Sequence, residues 1–371
     1  MRDSAQAVFG LIAPSMTGRV SRYLPGLVLV VAIAALASEG TRLLEGYLLG
    51  DGLSLSPILV VILLGVAVRN GIGFHPCFAP GVQLALQRIL KIGVALLGIR
   101  LSLGAVAEVG LQSLPIILCC IATALGVVWL IAPRLGVSER LSVLVAAGTS
   151  ICGATAILAV APAIRARNAE VSYAVTCIAL FGMTATLLYP LLARGVFGAD
   201  AHLAGLFLGT AIHDTAQVAG AGMIYSELFG APEALATATV TKLVRNVFIL
   251  AVIPLLAFWF RSQSTAPDEA QSSWAKAVPL FVLGFLAMAG LRTLGDLTVG
   301  SGPLTLGQWE ATIGVLASGS KICLILAMAA VGLSTDLRCM RTLGFAPLMV
   351  GLAAAVTVGG VSLLMITLLE T

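Results

Sequence analysis

LSVLVAAGTSICGATAILAVAPA, residues 141–163, is long and apolar enough to cross a bilayer, yet its centre is wrong for an anchor helix. Gly148-Thr149-Ser150-Ile151-Cys152-Gly153 places glycines and hydroxyls at mid-depth, where a plain span carries Leu and Val. Backbone groups freed at that depth must be satisfied by protein or by a water-lined cavity. A helix broken there turns one half-helix N-terminus, with unpaired N–H groups and partial positive charge, toward an anion. The stretch therefore reads as half of a substrate site.

The rest of the chain agrees with a membrane setting. Of its 371 residues, 59% are hydrophobic and 10% charged, and the mean hydropathy is +1.06. A soluble domain carries about 25% charged residues, so the composition specifies an all-α polytopic membrane protein. The long, non-alternating apolar segments exclude a barrel. The seven cysteines form no CxxC pair and read as small buried hydrophobes. There are only three histidines and no H-E-x-x-H, Walker A or G-x-S-x-G string. A metal site, an enzyme, a cofactor and nucleic-acid binding are therefore not expected. No cleavable signal peptide is expected after the basic N-terminal stretch.

Eleven apolar spans are predicted: 24–38, 54–69, 86–106, 113–132, 141–163, 170–193, 203–224, 236–260, 276–293, 309–333 and 345–368. Lys and Arg orient them. With the N-terminus cytoplasmic, inside loops and helix ends hold Arg2, Arg19, Arg22, Arg69, Arg88, Lys91, Arg134, Arg140, Arg194, Arg261, Lys276, Arg338 and Arg341. The outside holds Arg42, Arg165, Arg167 and Arg292, with Glu39, Glu45, Asp51, Glu108, Glu227, Glu233 and Asp296 beside them. Eleven crossings then put the C-terminus outside. Trp129, Trp259, Trp274 and Trp309 read as interfacial anchors.

Short internal similarities suggest a repeat. Leu64–Asn70 resembles Leu208–Asp214, Gly148–Cys152 resembles Gly319–Cys323, and Lys91 matches Lys242. All three pair span n with span n+5, and five spans per unit is odd, so the second copy should be inverted. The expected organisation is residues 1–53 as an added first helix, 54–193 as one unit (spans 2–6) and 194–371 as the other (spans 7–11). Spans 5 and 10 would carry the discontinuous, crossed helices. Inverted repeats with broken helices hold transporter sites near the bilayer midplane.

Ionisable groups inside spans mark candidate function. His213 and Asp214, with Gln217 one turn on, form the candidate ion-coupling group, with Asp214 taking a proton or sodium ion. Lys242 and Arg245 share one helical face with Asn246, and are expected to face a cavity and attract an anion, or to hold Asp214. Ser318, Ser320 and Lys321 follow the proposed break in span 10, and Thr149, Ser150, Cys152 and Thr155 complete the other side. Arg100 is either a membrane-depth charge or the early end of span 3.

The strings GVALLGIRLSL (93–103), AAGTSICGATAI (146–157), GTAIHDTAQVAGAG (209–222), TVTKLVRN (239–246) and GSKICLILAMAAVGLSTDL (319–337) resemble the YeiH-like inner-membrane proteins, a family named for sulfate export. The resemblance implies a place in the cation/proton antiporter and anion transporter group. It further implies inverted five-helix repeats, a homodimer in the bacterial inner membrane, and an elevator motion of a core domain against a scaffold. Its motifs carry over at Thr149, Ser150, His213, Asp214, Lys242, Arg245 and Lys321. The expected function is secondary transport of a small anion such as sulfate or sulfite, coupled to protons or sodium. The alternative is a cation/proton antiporter with Asp214 as cation ligand. No nucleophile–base pair supports an intramembrane enzyme, and no sensory domain supports a receptor.

Overall fold

The computed structural model describes residues 16–44, 56–262, 280–299, 305–336 and 344–370. Arg2, Glu45, Asp51, Trp274, Lys276, Arg338, Cys339 and Arg341 lie outside the described residues. In chain order the helices are α1 (Met16–Leu44), α2 (Pro57–Ala67), α3 (Ala79–Leu84), α4 (Leu90–Leu97), α5 (Leu103–Ile131), α6 (Glu139–Ser150), α7 (Gly153–Val160) and α8 (Asn168–Phe197). They continue with α9 (Ala201–Ala211), α10 (Thr215–Phe229), α11 (Pro232–Val247), α12 (Ile249–Ser262), α13 (Leu280–Thr298), α14 (Leu306–Ser334) and α15 (Phe345–Glu370). Wide π-helical turns extend α2 at Val68–Ile72 and join α3 to α4 at Ala85–Ile89. Among the described residues, seven helices are long and apolar enough to cross a membrane, or eight if the α11–α12 pair, bent by 40°, counts as one crossing. The chain is a multi-pass helical membrane protein.

Two of the eleven expected spans do not cross. In span 5, Gly148 packs so closely on the returning chain that a Cβ there would lie 2.9 Å from Ile157 Cδ1. Nine residues of straight helix would separate those positions by about 13 Å. At the base, Ser138 Oγ, which caps α6, donates to Glu170 Oε1 at the start of α8 (3.2 Å). α6 and α8 therefore start on the same face, and α6–α7 is a re-entrant hairpin. Span 7 behaves alike. Gly205 of α9 packs on Thr237 of α11, and Gly222 of α10 packs on Leu235, two residues away on α11. Seventeen residues of chain thus return to one level. The α9–α10 hairpin enters from the opposite face, since Arg194 near the end of α8 lies 5.1 Å over the Phe229 ring.

Local sequence explains these turns. Ser138 and Asp200 cap α6 and α9, their side chains accepting from Leu141 and Leu203 N–H. Gly153 takes φ +35° at the first tip, a conformation costly for a residue with a Cβ. Gly205-Leu-Phe-Leu-Gly209 lets α9 lie against Thr237 and Thr241 of α11, a small-residue contact suited to lipid, where apolar side chains supply little drive for association.

Span 10 corrects the expectation most. α14 runs unbroken through Gly319-Ser320-Lys321, so the partner of the first break lies in span 7. Its close contact comes later: a Cβ on Gly332 would meet Ile62 O at 2.4 Å. Trp129 is exposed, whereas Trp309 is buried and its Nε1 donates to Asp296 Oδ1 (2.8 Å).

The helices form two bundles. α1–α4, α13 and α14 pack together, and α5–α12 with α15 form the other, joined mainly where α10 meets α14 and α2 and where α13 meets α5. Arg134, Arg140, Arg165 and Arg167 share the face at the base of the first hairpin, which moves Arg165 and Arg167 to the side expected to be inside. Arg194 moves to the other.

Cysteines introduced at Arg140 and Arg165 should therefore react with an impermeant maleimide from one side of the membrane, and those at His202 and Glu233 from the other. Labelling of 140 and 165 from opposite sides would restore a straight span. Gly332→Ala should lower the melting temperature, overpacking costing about 1–3 kcal/mol, while Gly314→Ala, with open space around it, should not.

Candidate functional site

The two hairpin tips meet in the interior, with the carbonyl ends of α6 and α9 facing α11. Lys242 and Arg245 are each 0% exposed. Lys242 Nζ donates to Ile151 O (2.7 Å), Ile212 O (3.0 Å) and His213 O. Arg245 donates through Nε to Ser150 O (2.9 Å), through one terminal nitrogen to Thr149 O (2.7 Å) and through the other to Thr210 O. Cations at helix C-termini oppose the negative end of the dipole and satisfy carbonyls that have no intrahelical donor. These side chains hold the hairpins together and do not line the cavity between the bundles, where the sequence had them facing a cavity.

The other ends of the tips do face open space. A cavity of about 570 Å³ lies between the bundles, lined at its hairpin end by Cys152, Ala154, Thr155, Asp214, Thr215, Gln217 and Asn246. Lys91, Gln87, Ser334 and Thr335 border it from the other bundle, and Leu86 and Gln87 come from the π-helical turn. Such turns recur at functional sites. Asp214 caps α10, its Oδ1 accepting from Ala216 N–H (2.9 Å). Its other oxygen faces Gly153, where a Cβ would approach it to 2.8 Å. A single carboxylate thus stands at the positive ends of both α7 and α10. Thr215, not singled out from sequence, ties the tips: its hydroxyl accepts from Asn246 Nδ2 (3.2 Å) and lies 3.2 Å from Cys152 Sγ.

Several expected residues sit elsewhere. The Thr149 and Ser150 hydroxyls donate back to Val145 O (2.9 Å) and Ala147 O (3.2 Å) within α6. His213 is buried with Nδ1 unpartnered and does not line the cavity. Gln217 does, and its amide occupies the space left by Gly182. Ser318 is exposed, and Ser320 donates to Gly93 O (2.7 Å). Lys321, 52% exposed, pairs with Glu227 Oε1 (3.1 Å), far from the tips. Ser56 donates to the second oxygen of Glu227 (2.8 Å), so this carboxylate bridges α10 to both α2 and α14. Arg100 borders a small cavity of about 120 Å³ beside that bridge, with Nε unpartnered. Among the described residues, no cluster of His, Cys, Asp or Glu could hold a metal ion.

A family described as "Conserved hypothetical protein 698" matches residues 25–351. UPF0324 membrane proteins align along nearly the whole chain. The one from Nitratidesulfovibrio vulgaris is 32% identical, covering 92% of each chain. That from Streptococcus pyogenes is 33% identical, covering 93% of this chain and 96% of its own, and that from Pseudomonas aeruginosa is 30% identical, covering 92% and 94%. The chain belongs to the UPF0324 membrane protein family. The YeiH-like resemblance is met at this level. No solved structure matches.

Lys242→Met should leave three tip carbonyls without donors. The expected cost is about 1–3 kcal/mol for each acceptor left unsatisfied, partly offset because a buried charge no longer has to be desolvated. Thermal unfolding in detergent checks this, and an unchanged melting temperature would show that the cation is not a structural tie.

Proposed function

We propose that this UPF0324 protein is a secondary active transporter of a small anion, coupled to protons through Asp214. The carrying observation is the site's charge pattern. On the cavity between the two bundles, the positive ends of α7 and α10 and the Lys91 side chain stand against one carboxylate, with Lys242 and Arg245 behind the tips and engaged by carbonyls. An anion entering there meets Asp214, and protonating that group removes the repulsion. Proton and anion binding would then favour one another, which is the linkage a symporter needs. Sulfate, sulfite and related sulfur oxyanions are the first substrates to test, with sodium as the alternative coupling ion.

Chain directions support an inverted architecture. α2 and α13, α4 and α14, α5 and α15, the two hairpins, and α8 and α11–α12 run in opposite senses as pairs. In this reading the two units remain 54–193 and 194–371. The second, however, begins with its hairpin and ends with α13–α15, so its elements follow a rotated order. If α2 with its π-helical extension (57–72) is counted as a short crossing beside the eight longer ones, the crossings α1, α2, α3–α4, α5, α8, α11–α12, α13, α14 and α15 would number nine and put the termini on opposite faces. With the Arg-rich face cytoplasmic, in a bacterial inner membrane, the cavity extends inward and the Glu227 bridge closes the outer side. The α5–α12/α15 bundle would move past the other, elevator-fashion, in a homodimer.

A second reading, cation/proton antiport, draws on the unpartnered oxygens of Gln217 and Asn246 near Asp214. Proteoliposomes with labelled anions and an imposed pH gradient separate the two. Gradient-driven anion flux should occur, and Asp214→Asn should make the flux independent of the gradient. Sodium–proton exchange with no anion requirement would favour the antiporter instead.

A further inference from the structure

Arg100 differs from the other cations at membrane depth. Lys242 and Arg245 give six bonds to hairpin carbonyls, and Lys321 pairs with Glu227. Among the described residues, the Arg100 guanidinium makes no hydrogen bond or ion pair with protein, and its Nε is enclosed. Arginine keeps its proton in proteins, so it does not avoid the cost of a charge at depth by neutralising itself.

The side chain borders the cavity of about 120 Å³ at the Glu227 end of the seam between the bundles. One bundle walls it with Leu97, Ser320 and Lys321, the other with Met223, Ser226 and Leu235. The space holds several water molecules or one small ion, and lies well below the roughly 300 Å³ at which sites for larger organic ligands begin. Its charge is unbalanced. Lys321 and Glu227 cancel at 3.1 Å, and Ser56 takes the second oxygen of Glu227, which leaves Arg100 as a surplus of one positive charge. The planar fork of a guanidinium matches two oxygens of an oxyanion. Lys91, nine residues earlier on the same crossing and so roughly 13 Å along it, borders the cavity at the hairpin tips instead. This crossing therefore presents one cation to each cavity.

We propose that Arg100 holds a small, singly charged oxyanion, such as nitrate, formate or bicarbonate, in this cavity. The site is separate from the one at the hairpin tips, and its walls come from both bundles, so the bound anion lies across the seam they share.

Titration of the purified full chain in detergent with sodium nitrate or formate, against gluconate at constant ionic strength, tests this by calorimetry and thermal unfolding. Binding should saturate. Arg100→Gln should weaken it about 10- to 100-fold, as expected for hydrogen bonds to a charged group, and Arg100→Lys, which keeps the charge and loses the fork, should weaken it less. In gluconate alone Arg100→Gln should melt no lower than the parent chain, since no bond to protein is lost. Nitrate should then raise the melting temperature of the parent and not of the variant. Binding that survives Arg100→Gln and is lost with Lys91→Gln would move the anion to the other cavity and overturn the proposal. Nitrate binding that is absent, or equal in parent and Arg100→Gln, would overturn it too, with water as the guanidinium's partner. Stabilisation by added phosphatidylglycerol through Arg100, without response to free anions, would make the contact a lipid headgroup and likewise overturn it. Anion flux in proteoliposomes is read separately: its absence leaves this site standing, and absence of binding at Arg100 leaves transport through the Asp214 cavity standing.

Discussion

The fold depends on Lys242 and Arg245. Two half-helices end inside the protein, at a depth where water cannot reach their terminal carbonyls, and each unsatisfied group there costs several kcal/mol. One helix, α11, supplies both cations, three residues apart and therefore on one face. The same face contributes Asn246, which bonds to Thr215 at the second tip. Both hairpins are in this way tied to a single rod. Whatever moves in this protein, the tips and α11 move together, and neither hairpin can open without breaking a set of charge-assisted bonds.

Against that rigid core, the boundary between bundles is lightly built. The cavity occupies much of it, and the most specific polar bridge is Glu227 to Ser56 and Lys321. Lys321 lies mid-way along the crossing helix α14, with its side chain 52% uncovered by protein. A single polar clasp across a seam beside a deeply tied core suits two bodies that slide.

Much of the core was legible in the sequence. Gly148–Gly153 and the Ile212–Asp214 turn stand out because polar and glycine residues interrupt apolar runs, and Lys242 and Arg245 because charges are rare there. Chain direction was not legible. A Gly-Ser break looks the same whether the backbone continues or turns back, and hydropathy has no sense of direction, so Arg165 and Arg167 were assigned to the wrong face. Lys321 was misread because a five-residue similarity to Gly148–Cys152 cannot show burial. Its side chain lies on the outer surface of a regular helix, and the Gly that does pack tightly, Gly332, lies eleven residues further on. The role of the cations was half legible: their depth was evident, but carbonyl partners some 30 and some 90 residues away leave no trace in local pattern.

Those sequence separations bear on how the protein is made. The second hairpin receives its donors about 30 residues after its tip is synthesised, whereas the first waits more than 90 residues for Lys242 and Arg245. Until α11 emerges from the ribosome and enters the bilayer, the tip at Ser150–Cys152 has nothing to quench its carbonyls and no reason to remain at depth. The first hairpin therefore gains the donors for its tip carbonyls only after the chain has passed Arg245, later than it gains the Ser138–Glu170 contact at its base.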